Sequence, residues 1–188
     1  MGKIVVTEFI SLDGVVEDPG GAESFERGGW AFRFARGDEG DTFKLDEVLS
    51  ADAQLLGRRT YDGFAEAWPE REDPMGFADK MNSMPKYVVS STLTDPAWNN
   101  TTVIGLDDVA GLREKHGGDV LVAGSATLVQ GLLANGLVDE LHLMVFPVVL
   151  GAGKRLFAEG AETPFDVVES KRTGDVTTLT LVPKRDAG

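Results

Sequence analysis

Two short apolar runs in this chain, Ala53–Leu56 and Val120–Ala123, each break off at a glycine and pass straight into residues that open a helix. The first junction reads Gly57-Arg58-Arg59-Thr60-Tyr61, and the second reads Gly124-Ser125-Ala126-Thr127. Buried strands that feed helices in this way build α/β folds. They also build sites. The first turn of a helix carries unpaired N–H groups and a partial positive charge, and a strand end that delivers Gly, Arg, Arg and Thr there makes a phosphate cradle. Two such junctions imply a ligand with a diphosphate, read here as a dinucleotide.

The length of 188 residues suits one domain spanning 1–188. A net charge of −13 sets the electrostatic field against nucleic acid and anionic membrane surfaces. The sequence holds no cysteine, which excludes disulfides, thiol nucleophiles and thiolate metal sites. No apolar stretch approaches a membrane span. The opening Met-Gly-Lys-Ile-Val-Val runs directly into a strand without the apolar core of a signal peptide, so a cytoplasmic protein is expected. The two histidines, His116 and His142, read as a helix end and a strand position. A metal role is the alternative, but no His/Glu pair has zincin spacing, and no metal site is expected.

Ile4–Ile10 reads as the first strand. Residues 11–40 lack periodicity and carry seven glycines, and a loop of this length in a compact domain is commonly functional. Trp30, Phe32 and Phe34 interrupt it. They either close on an apolar ligand, with Trp30 and Phe32 as substrate contacts, or pin the loop to the core. Asp41 is expected to cap a helix running to Ser50, with Leu45, Val48 and Leu49 on one face. A strand at 53–56, a helix at 59–66 and a weak helix at 75–83 follow. Strands at 85–90 and 101–104 come next, then a helix from Asp107 to His116. Strand 120–123 leads into helix 126–134. Val138–Val149 reads as a long strand region with Pro147 at a bulge or edge. Phe165–Lys171 and Val176–Pro183 read as a closing hairpin. The order predicts a mixed, mostly parallel sheet with helices on both faces and ligands at the carboxyl ends of its strands.

Gly151-Ala152-Gly153-Lys154 resembles the end of a Walker A loop, but position 148 is Val and position 155 is Arg, so the phosphate-binding loop is incomplete. A Rossmann Gly-x-Gly-x-x-Gly is absent. In place of the acidic residue that holds the ribose of NAD, the strand at 85–90 runs into Ser90-Ser91-Thr92. Hydroxyls together with the Arg58 guanidinium suit a 2′-phosphate, which favours NADP(H). Two histidines and no cysteine assemble no hydrolytic triad. Asp108, Glu159 and Glu162 read as surface carboxylates.

With Ser11-Leu12-Asp13-Gly14, Leu55–Tyr61, Val120–Ser125, Val138–Leu141 and Pro147–Gly153 in this order, the chain resembles the dihydrofolate reductase superfamily. It is most similar to the branch that contains the riboflavin-biosynthesis reductase domain, the RibD C-terminal-like proteins. The resemblance covers nearly the whole chain. It implies a single-domain sheet of about eight strands, NADPH laid across the strand ends, and hydride transfer to a heterocyclic, imine or carbonyl carbon. It implies that Arg58, Arg59 and Thr60 hold the 2′-phosphate and pyrophosphate, and that Ser90, Ser91 and Thr92 flank the adenosine end. Gly124, Ser125, Ala126, Thr127 and Leu128 would meet the pyrophosphate from the other side, and Ser11–Val16 would lie beside the nicotinamide.

Two departures from dihydrofolate reductases stand out. Ser125 replaces the second of a glycine pair, which a backbone contact tolerates. The carboxylate that supports pterin protonation has only Asp41 at a comparable distance from Gly57, with Asp46 about a turn further on. Asp41 and Asp13 are therefore the candidate proton donors, each with a competing local role, Asp41 as N-cap and Asp13 as turn residue. A small-molecule substrate and a homodimer are the expected partners, the dimer from the family and from the apolar run Val138–Leu150. An NADP(H)-binding module without turnover is the alternative function.

Overall fold

The computed structural model describes residues 1–184. Its strands are β1 (Ile4–Ser11), β2 (Ala53–Gly57), β3 (Lys86–Val89), β4 (Thr101–Ile104), β5 (Val120–Ala123), β6 (Glu140–Phe146), β7 (Phe165–Thr173) and β8 (Val176–Pro183). Its α-helices are α1 (Gly37–Ser50), α2 (Arg58–Ala67), α3 (Phe77–Ser83), α4 (Leu112–Lys115) and α5 (Ala126–Ala134). The eight strands form one sheet in the order β4-β3-β2-β5-β1-β6-β8-β7. β1 to β6 run parallel, and β8 and β7 return antiparallel as the C-terminal hairpin.

The central strands are buried on both faces, which is why they read as unbroken apolar runs. Alternation sends Ile4, Val6 and Ile10 of β1 to one face, against Leu128, Val129 and Leu132 of α5. Val5 points to the other face with Leu56 and Leu121, against Val48 of α1, Tyr61 of α2 and Met81 of α3. A third cluster of Val15, Trp30, Met144, Phe146, Leu150 and Val176 closes the end of the sheet beneath the glycine-rich loop.

The connections reverse direction at the centre. From β1 the chain passes over β5 to β2, whereas from β5 it passes over β1 to β6. The carboxyl ends of β1 and β5 therefore flank the switch point, where open α/β sheets place their ligands.

Three expectations are corrected. Helix α1 begins at Gly37, so Asp41 lies inside it and is not its N-cap. The first turn, Gly-Asp-Glu-Gly, carries no apolar side chain from which periodicity could be read. The expected helix from Asp107 divides into a 3-10 segment, Leu106–Gly111, and α4, and Asp108 is the capping carboxylate, accepting the Gly105 N–H at 2.9 Å. The strand expected over Val138–Val149 is confined to β6, between β1 and β8, so its apolar character is that of an interior strand.

The glycine-rich segment 11–40 is held by specific contacts. Buried Asp18 accepts the N–H groups of Glu23 at 3.0 Å and Phe25 at 3.2 Å, and the Arg27 guanidinium donates to the Leu150 carbonyl. Trp30 opens a 3-10 turn, Trp30–Arg33. Its ring is fully buried, so it offers a substrate no surface; Phe32 is 80% exposed. Pinning to the core is thus the reading that holds for Trp30. Among the described residues no helix is long and apolar enough to cross a membrane.

Candidate active site

β2 and β5 are parallel neighbours, with Ala53 opposite Val120 and Leu55 opposite Val122. This pairing carries the two strand-to-helix junctions to the same edge of the sheet, where they interlock. A Cβ on Gly57 would collide with the Ser125 side chain, and a Cβ on Gly124 would lie 2.6 Å from Thr60 Oγ1. Gly124 also has φ +70°, in the left-handed region that glycine adopts without strain. The glycine at each junction is thus the space into which a side chain of the other fits. Neither Gly57 nor Ser125 caps its helix with a side chain, so the first-turn N–H groups of α2 and α5 face the crevice. The two helix starts thus lie side by side at one end of the sheet, each with the positive end of its dipole there.

The side chains expected at this site take distinct places. Arg58 pairs with Asp62 at 2.8 Å and reaches Thr92 Oγ1 at 3.4 Å, so the first junction and the segment after β3 are brought together. Ser90 Oγ accepts the N–H groups of Thr92 at 3.3 Å and Leu93 at 3.1 Å, shaping that turn, while Ser91 and Thr92 are exposed. Arg59 turns away from this group. It pairs with Glu23 at 2.9 Å and Glu17 at 3.4 Å, clamping the glycine-rich loop, and its charge is largely matched. Thr60 packs on Gly124. On α5, Thr127 is exposed, whereas Ala126 and Leu128 are core side chains that offer only backbone to a ligand.

Neither candidate proton donor is placed for the task. Asp13 accepts the N–H groups of Leu150 at 3.0 Å and Gly151 at 2.8 Å and the Ser11 hydroxyl at 2.7 Å. These donors, the Leu150 amide first, hold its carboxyl down at about 2. An acid that strong stays ionised, and its role is to tie the Ser11–Val16 turn to the segment after β6. Asp41 is 59% exposed and pairs with Arg36 at 2.8 Å.

Sequence reasoning missed Glu8. It sits within β1, one residue past the last β1–β5 pair, Thr7 opposite Ala123. Its side chain is buried, and Oε1 accepts the Gly124 N–H at 3.0 Å. Burial pushes its carboxyl up to about 8, only partly offset by the Lys44 charge and the Gly124 hydrogen bond. A readable signal existed: position 8 shares the inward face of Val6 and Ile10, where a carboxylate has no structural reason to be.

A second polar group lies on the opposite face of β1. Glu47 of α1 accepts hydrogen bonds from Thr7 Oγ1 at 2.9 Å and Lys44 Nζ at 3.0 Å, and its other oxygen meets His142 Nδ1 at 2.7 Å. His142 Nε2 meets Glu140 at 3.2 Å, and Glu140 pairs with Lys3. Burial opposes charge on Glu47 and His142, but the partners outweigh it, so Glu47 is held below the usual carboxylate value and His142 above the usual imidazole value. A groove of about 520 Å³ between α1 and the sheet, with Phe43 and His142 on its walls and Val5 and Leu121 on its floor, opens on this face.

Residues 2–179 match the model of the RibD C-terminal domain. The uncharacterized protein YyaP of Bacillus subtilis (strain 168) is 31% identical over 163 residues, 84% of this chain and 81% of YyaP. YwjB of the same organism, also uncharacterized, is 28% identical over 184 residues, 96% of this chain and 97% of YwjB. Among solved structures, a putative riboflavin biosynthesis protein from Shewanella sp. PV-4 superposes with a TM-score of 0.74 at 24% identity, covering 97% of this chain and 99% of that one. RibD of Acinetobacter baumannii superposes with a TM-score of 0.67 at 17% identity, and there this chain spans 58% of the longer protein.

Proposed function

This chain belongs to the RibD C-terminal domain family, and from that premise we propose that it is an NADPH-dependent reductase. Its substrate would be a small pteridine- or pyrimidine-like heterocycle, or another compound with a C=N or C=O group. The observation that carries this reading is the interlocking of the two junctions, Gly57 against Ser125 and Thr60 against Gly124, which turns two helix starts into one diphosphate cradle at the switch point. Arg58 and Thr92 stand at the flank of that cradle, where a 2′-phosphate would meet a guanidinium and a hydroxyl.

When bound, NADPH supplies the hydride and the electron pair that travels with it. The chain's own part is to orient and to exclude water. The first turns of α2 and α5 would hold the diphosphate, Arg58 and Thr92 the 2′-phosphate, and the Ser11–Val16 turn, fixed by Asp13, would border the nicotinamide. Arg59, by clamping Glu17 and Glu23, keeps the loop over the crevice.

The test is a titration with NADPH and, separately, NADH, followed by nucleotide fluorescence. Arg58→Ala is expected to weaken NADPH binding by about ten- to a hundredfold, the loss of a charge-assisted hydrogen bond, with NADH affinity nearly unchanged. Equal losses for both cofactors would remove the 2′-phosphate assignment. NADPH binding without its consumption on a panel of pteridines, pyrimidines and imines would point to a binding module instead.

A further inference from the structure

Hydride transfer to a C=N or C=O group leaves one proton to be delivered, and Asp13 and Asp41 are both unsuited to deliver it. We propose that Glu8 is the catalytic acid of this site, giving its proton from Oε2 to the substrate atom bonded to the hydride-accepting carbon. This inference rests on the reductase reading above.

Position comes first. Glu8 lies in β1 one residue past the last β1–β5 pair and directly beside Gly124, so it stands at the switch point between the two strands and against the second strand-to-helix junction. Geometry follows. Oε1 is occupied by the Gly124 N–H, which fixes the carboxyl plane. Oε2 forms no hydrogen bond. Among the described residues the one buried side-chain polar atom without a hydrogen bond is Gln54 Oε1, so Oε2 of Glu8 keeps contact with open space. A carboxyl whose first oxygen is anchored and whose second has no hydrogen-bond partner is set to donate from the second.

The surroundings keep the proton in place. The charges that face Glu8 are Lys44 of α1 and Glu23 of the glycine-rich loop, which act in opposite directions. Lys44 is itself committed to Glu47 and Thr7 and forms no ion pair with Glu8. Burial therefore decides, and the group remains a neutral acid through neutral pH, as a proton donor requires.

The step balances. The substrate carbon gains the hydride with its two electrons, and the C=N π pair becomes a lone pair on nitrogen. That nitrogen forms an N–H bond as the Oε2–H bond of Glu8 breaks. NADPH is oxidised to NADP⁺, the imine is reduced to the amine, and Glu8 is left as a carboxylate that solvent reprotonates through Oε2.

Glu8→Gln separates donation from support, because glutamine keeps an oxygen for the Gly124 N–H. The first readout needs no cofactor: carboxyl carbon resonances of glutamate-labelled protein, followed from pH 5 to 9. One carboxyl is expected to stay protonated at pH 7 and to be missing from Glu8→Gln. If every glutamate is ionised at pH 7, the inference is overturned. The second readout is NADPH consumption with 6-methyl-7,8-dihydropterin as the imine probe. Glu8→Gln is expected to lower kcat by about a hundredfold or more while leaving NADPH affinity within about threefold. The wild-type rate should fall as pH rises through about 8. A Glu8→Gln protein that turns over like the wild type overturns the acid role alone. A wild-type protein that binds no NADPH overturns the reductase reading, and the proton-delivery step with it.

Discussion

Trp30→Ala is expected to destabilise the protein by about 3–5 kcal/mol, read from urea or thermal unfolding, whereas Phe32→Ala should stay within about 0.5 kcal/mol of the wild type. Both residues sit in the same four-residue turn, so the contrast isolates burial. Trp30 is fully enclosed. Its ring meets Phe146 edge to face, centroids 5.3 Å apart at 84°, and its Nε1 donates to the Glu17 carbonyl at 2.9 Å. Truncation would leave a cavity among Val15, Met144, Phe146 and Leu150 and orphan the Glu17 carbonyl. Because Glu17 also meets Arg59, the loop over the crevice should loosen, and NADPH affinity should fall along with stability. Equal stabilities of the two variants would refute the assignment of Trp30 to the core.

The second large effect lies in the polar group on the other face of β1. Glu47→Gln is expected to cost about 3–5 kcal/mol near pH 6, because it leaves half-buried Lys44 and protonated His142 without their shared counter-charge. The pH dependence follows from the directions of the shifts. His142 is raised above 6.5, so its contribution is complete below that value and is lost as pH climbs through its folded value. Glu47 and Glu140 are lowered below 4.5, so their contributions are present above that value and are lost as pH falls through their folded values. The group therefore stabilises most between about 4.5 and 6.5. Unfolding midpoints at pH 3, 6 and 9 should show the widest gap between wild type and variant at pH 6. The gap should narrow toward pH 3, because Glu47's contribution is lost as pH falls and its protonated form resembles the glutamine. A gap that is flat across the three pH values would show that packing, not charge, sets the effect.

What the sequence made legible was local. The two junctions could be read because an apolar run, a glycine and a helix start are adjacent in the chain, and the family likeness extended the same segments to a fold that the structure bears out. Their interlocking could not be read, since it depends on β2 pairing with β5 across an intervening stretch that holds two other strands. Asp41 misled because a carboxylate near a helix start looks like a cap wherever the first turn is polar. The ion pairs of Arg59 could not be read, because its acidic partners, Glu17 and Glu23, lie in a loop without periodicity. Lys86 opens β3 with a charge and was passed over, yet it is wholly buried. Its ammonium donates to the carbonyls of Asn82, Met84 and Asn99 over the Trp98 ring, and desolvation brings it down to about 8. That arrangement is tertiary throughout, and its sole trace in the sequence is a lysine where an apolar residue was due.

The reversal of strand order also bears on how the chain is made. β1 is made before the other strands of the sheet, yet its neighbours are β5 and β6, Ile4 opposite Val120 and Val5 opposite Glu140. One edge stays bare until β5 has been synthesised and the other until β6 has, which at about 5–20 residues per second is a matter of many seconds. β2, β3 and β4 can pair among themselves meanwhile, but the contact between Glu8 and Gly124 has no existence in a partial chain. The junction of β1 with β5 and β6 is therefore a late product of folding. A messenger or chain cut short before β6 would yield an apolar strand in search of a partner, rather than a weakened version of the whole fold.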